Sequence, residues 1–113
     1  MSVLAMTLPI PEGKLKALEN HIAEAKKRDD FEDTLRGFGL THESWHVQST
    51  PLGELLIMVF ECDDPLSMLA EFSQSPKDLP TWQRGVLKDL LGIDLSEPSP
   101  EPPSRAIFDW TDK

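Results

Sequence analysis

The chain has 113 residues, 39% of them apolar, with 20 acidic against 11 basic side chains and a net charge of −9. That length supports one hydrophobic core and that composition excludes a chain disordered throughout, while a mean hydropathy of −0.32 excludes a bilayer protein. The negative field repels phosphate backbones and anionic lipid heads, so neither nucleic acid nor a membrane is an expected partner.

Val3 to Leu8 is apolar, carries no helix cap and reads as a strand ending at Pro9. Pro11 then opens a helix in which Leu15, Leu18, Ile22 and Ala25 recur at three- and four-residue spacing, with Lys14, Glu19, Glu24 and Lys26 elsewhere on the wheel. A short helix follows over Phe31 to Arg36, with Asp29 or Asp30 as its cap and Gly37 or Gly39 at its end. Thr41 to Gln48 alternates, placing His42, Ser44 and His46 on one side and Glu43, Trp45 and Val47 on the other. Ser49 to Gly53 is a turn, and Glu54 to Cys62, rich in branched and aromatic side chains, is a strand. Asp64 caps a helix with Pro65 at its first position, ending near Ser73. A further helix runs from about Thr81 to Leu91 and is closed by Gly92. In the segment from Ser96 to Arg105, Pro98, Pro100, Pro102 and Pro103 favour an extended arm, after which Ala106 to Trp110 reads as a last strand.

The order is βαββαβ, an α+β chain on the ferredoxin-like plan: a four-stranded antiparallel sheet with strand order 4-1-3-2 and helices on one face, forming one domain over residues 1–113. The third strand turns Leu55, Ile57 and Val59 one way and Leu56, Met58 and Phe60 the other, and the first divides Val3 and Ala5 from Leu4, Met6 and Leu8. Two helices cover only one face of such a sheet. The second face would leave large side chains in water at roughly 1.5–3 kcal/mol each, which predicts a homodimer closed through that face. The alternative is a monomer whose Pro-rich arm folds over it. The longest apolar run, Leu55 to Phe60, spans no membrane. The first eleven residues lack a signal peptide's basic start and cleavage site, and a lone Cys62 allows no intrachain disulfide. A cytoplasmic location is therefore expected.

These residues resemble the dimeric α+β barrel superfamily over nearly the whole length, small bacterial members included. Pro11 to His21, PEGKLKALENH, is similar to the first-helix start of its rhamnose mutarotase-like branch. LLIMVFECDD, the helix with Trp82, the Pro-rich stretch and the last short strand follow that branch's order. The resemblance implies a pocket between sheet and helices with His21 facing it. Where the branch carries pocket tyrosines, this chain has Ala17 and Glu43, and it contains no tyrosine.

His21 also lies beside the buried helical stripe, where an imidazole suits proton transfer or bonds a backbone carbonyl. Glu43 shares a strand face with Trp45; if that face meets the helices, the carboxyl is raised in proton affinity and pairs with His21 as acid and base. Trp45 and Trp82 offer walls for a ring, or serve as core. Arg84, near Trp82, offers a hold on an anionic substrate, or is a solvated helix residue. Together these suggest a small-molecule pocket for cofactor-free proton transfer or oxygenation of a cyclic compound. No phosphate-cradling glycine loop or other cofactor motif is visible. A non-catalytic structural or stress-type barrel is the second reading. His42-Glu43-Ser44-Trp45-His46 matches H-E-x-x-H, which makes a zinc hydrolase the third, with Glu61 or Glu71 as a further ligand. That chemistry requires a helix, because on a strand the two histidines stand roughly 13 Å apart, at 3.3 Å per residue. Cys62, beside Asp63 and Asp64, is not a nucleophile.

Overall fold

A computed structural model describes residues 2–97 and 101–112. The elements are β1 (Ser2–Ile10), α1 (Leu15–Lys26), α2 (Phe31–Gly37), β2 (His42–Thr50), β3 (Gly53–Cys62), α3 (Pro65–Gln74) and α4 (Asp78–Leu91). The sheet is antiparallel in the order β1-β3-β2, so β3, apolar on both faces, is central, whereas β1, which carries the same pattern and was expected beside it at the centre, is an edge strand.

Local chemistry sets most boundaries. Pro9 does not end β1, because a strand with one neighbour tolerates a residue without an N–H. Pro11 does not open α1: Gly13 adopts φ +82° and the Lys14 amide donates to the Pro11 carbonyl at 3.1 Å, so a turn precedes the helix. Asp30 stands at the start of α2 but leaves its amides uncapped, its carboxylate being held by Arg28 at 2.9 and 3.1 Å. The β2–β3 hairpin turns through Pro51 and Leu52, with the Thr50 hydroxyl donating to the Gly53 carbonyl at 2.7 Å. Asp64 caps α3 as expected, accepting from the Ser67 amide at 3.2 Å. Helix α4 begins at Asp78, three residues early, because Pro80 falls in the first turn where amides have no helical partner. Gly92, at φ +71°, ends it.

Register across the sheet separates two layers. Rows Leu4–Phe60–Glu43, Met6–Met58–Trp45 and Leu8–Leu56–Val47 face the helices, which settles the orientation of β2. Leu18 of α1, Met68 of α3, and Leu87 and Leu91 of α4 pack into one core with Leu56, Met58 and Phe60. The opposite face carries Val3–Glu61–His42, Ala5–Val59–Ser44, Thr7–Ile57–His46 and Pro9–Leu55–Gln48; among the described residues none of the four helices lies on it.

The expected fourth strand is not formed. Among the described residues, 101–112 contain no strand, β1 is left at an edge, and Ile107, Phe108 and Trp110 are exposed. Pro102 and Pro103 bring no N–H donors to a ladder, and the arm touches β1 through a Ser104 hydroxyl that donates to the Ala5 carbonyl. Pro98 and Pro100 lie outside the described residues. No helix among the described residues is long and apolar enough to cross a membrane.

Candidate functional site

Between the inner sheet layer and α2–α4 lies a cavity of about 290 Å³. Met58 and Trp45 form its floor, Phe38, Phe72 and Leu87 its walls, and Glu97, Glu101, Pro102 and Pro103 of the arm its solvent side. Phe38 and Phe72 meet edge to face at 6.2 Å, a favourable aromatic geometry that also stiffens the wall.

Glu43 and Trp45 enter the cavity together because residues two apart on a strand share a face. The Trp45 indole Nε1–H donates to Glu43 Oε2 at 2.6 Å. Burial raises the Glu43 pKa above the usual carboxylate value, and the indole bond opposes that rise only in part. The neutral acid is thereby made more accessible, which suits a group that gives and takes protons. Thr34, Ser73 and Gln83 supply further polar side chains beside Glu97 and Glu101, and no lysine, arginine or histidine among the described residues lines the space.

His21 is elsewhere. It is 4% exposed and packs against Trp82 with ring centroids 4.6 Å apart, while the Arg28 guanidinium lies 5.0 Å from the Trp82 ring centre. Neither His21 nor Trp82 lines the cavity. Both ring nitrogens of His21 are buried without a hydrogen-bond partner, and desolvation lowers its pKa against the opposing charge of Glu24. The sequence-predicted groups thus form two sets, Glu43 with Trp45 in the cavity and His21 with Trp82 outside it; the expected His21–Glu43 acid–base pair is not assembled.

Arg84 does not face the cavity either. Its guanidinium donates to the Phe72 carbonyl at 2.6 Å and the Ser75 carbonyl at 3.0 Å, satisfying the C-terminal end of α3, where carbonyls lack helical partners. The zinc-hydrolase reading is overturned by β2. His42 and His46 are exposed on the open face, Glu43 points through the sheet to the other, and His46 Nε2 pairs with Ser44 Oγ at 3.0 Å. Among the described residues no group of three or more histidine, cysteine, aspartate or glutamate side chains is placed to hold a metal ion. Cys62 is buried and its thiol pKa is raised, chiefly by desolvation and further by Asp63 and Asp64.

Sequence reasoning missed Phe38, Phe72, Thr34 and Gln83. These lie on α2, α3, α4 and the α2–β2 connection, and only their packing against the Met58 row brings them together. No protein-family model, curated protein or solved structure matches the chain.

Proposed function

We propose that this chain binds a small molecule in the cavity between sheet and helices, with Glu43 as the group that exchanges a proton with it. The observation that carries this reading is the Glu43 carboxyl, oriented by Trp45 and set into the wall of a largely apolar chamber, with Glu97 and Glu101 at its solvent side. An engineered apolar cavity of roughly 150 Å³ takes up benzene, so about 290 Å³ suits one ring with a short side arm. Proton transfer on such a compound falls to Glu43 rather than to His21.

The test uses 2-phenylethanol as probe. At ten times its dissociation constant a ligand adds about 1.4 kcal/mol, raising the melting temperature by about 5 °C at this size. Ala70→Trp, at an exposed position lining the cavity, fills the space and abolishes the shift. An unchanged melting temperature in the parent protein overturns the reading.

The assembly we propose is a homodimer closed through the open sheet face, on the dimeric α+β barrel plan with the ferredoxin-like strand order. The order β1-β3-β2 supports it. So does charge: the twelve residues of that face include one carboxylate, Glu61, in a chain that holds 20 acidic side chains. Two copies of net charge −9 meet with least repulsion across that layer, and interface centres are depleted of charge for this reason.

A further inference from the structure

The arm and the first strand leave matching apolar surfaces uncovered. The Ser104 hydroxyl donates to the Ala5 carbonyl, so the arm passes the free edge of β1, where backbone groups have no partner strand. Beyond that point Ile107, Phe108 and Trp110 are 86, 84 and 72% exposed. Extended backbone turns Ala106, Phe108 and Trp110 to one side and Asp109 to the other, which gives the segment one apolar face. On the open side of the sheet, Val3 and Ala5 of β1 are exposed, whereas Ile57 and Val59 of β3 are half-buried. The nine residues of β1 include no charged side chain, and residues 105–110 carry one arginine and one aspartate. The two surfaces therefore meet without net repulsion in an otherwise acidic chain.

We infer that the arm is exchanged between two copies: Phe108 and Trp110 of each dock on the β1 margin of the other's open sheet face, over Val3 and Ala5. This rests on that face being the contact between copies. From Ser104 to Trp110 an extended chain covers roughly 20 Å, about twice the ~10 Å that separates packed sheets, so the arm crosses from its own edge to the facing sheet. Its own margin is not the seat, since both aromatics stand exposed in the single copy. A buried aromatic removes roughly 150–250 Å² from water, so the four on two arms remove roughly 600–1,000 Å². With the partner surface they cover, the total reaches the roughly 1,200–2,000 Å² of a stable interface.

The experiment compares the full chain with Phe108→Ser/Trp110→Ser by sedimentation velocity at micromolar concentrations. Both side chains lie outside the core, so the variant keeps the parent's circular dichroism spectrum. Its dimer dissociation constant is expected to rise about thirtyfold or more, as loss of central interface aromatics requires. A second measurement, which decides the matter should that variant fail to fold, identifies whose β1 the arm meets. Thr111→Cys, exposed while Cys62 is buried, is labelled with a benzophenone and irradiated in an equal mixture of ordinary and heavy-nitrogen chains. Links from the arm to β1 peptides are expected to join the two isotopes. Links confined to one isotope, or a double variant that dimerises as tightly as the parent, overturn the exchange and leave the face-to-face dimer standing. A parent chain that stays monomeric throughout overturns both.

Discussion

Glu43 shows how one residue records its surroundings in a titration. Its pKa is raised in the folded chain, so its contribution to stability is fully present below the ordinary carboxylate value. That contribution is lost as pH rises through the folded value. Glu43→Gln therefore melts at a higher temperature than the parent at pH 8, and the difference closes as the pH is taken below about 4.5; thermal unfolding across a pH series reads it. His21 works in the opposite sense on the pH axis. Its pKa is lowered from 6.5, so the unfolded chain takes up a proton before the folded one does, and stability falls as pH drops from about 6.5 towards the folded value. His21→Leu loses no hydrogen bond and should flatten the stability profile just below about pH 6.5, leaving the loss at lower pH in place. That remaining loss comes from Asp30, Asp64 and Asp94, whose hydrogen bonds to Arg28, Ser67 and Ser96 hold their carboxyls low. The pairing of Glu43 with Trp45 was legible in the sequence because a two-residue period leaves no freedom about which side chains are neighbours. The destination of His21 was not: helical spacing turned it inward, but α1 meets α4 at Trp82, and no periodicity says which helix another will face.

At the scale of elements, the boundaries legible in the sequence were those with a single-residue cause, such as Asp64 and Pro65 opening α3 and Gly92 closing α4. Those that were misread involved competition. Asp30 serves Arg28 rather than the helix amides, and Gly13 breaks a start that Pro11 alone would have allowed. Arg84 belongs here too, since its guanidinium closes the end of α3. Arg84→Ala should cost about 1–2 kcal/mol, from two charge-assisted bonds to carbonyls, measured by urea unfolding. It should leave the melting shift given by 2-phenylethanol unchanged, which a role in ligand recognition would not allow.

At the scale of the molecule, the two-sided apolar pattern marked β3 rightly as central and β1 wrongly, since β1 lies at an edge; which rows meet the helices came from the register alone. The fourth strand was misread because Ala106 to Trp110 has a strand's composition, yet among the described residues the arm meets the edge of β1 through the Ser104 hydroxyl without forming a ladder, and Ile107, Phe108 and Trp110 stay exposed. Ile57 lies at the middle of the open face, so Ile57→Lys should convert a dimer to a monomer in sedimentation velocity, with the fold retained because that side chain lies outside the core. A parent protein that sediments as a monomer at micromolar concentration would refute the proposed assembly.

The same greasiness on both sides of β3 has a cost in alignment. Sliding this strand by one position would exchange Leu56, Met58 and Phe60 for Leu55, Ile57 and Val59, oil for oil, so its own side chains barely resist the slip. The veto comes from the strand's far end, where the slip would carry Glu61 into the row that faces the helices, and from Gly53, whose φ of +126° no other residue adopts cheaply. One glycine and one glutamate act as the index marks that keep the ladder from seating a rung off.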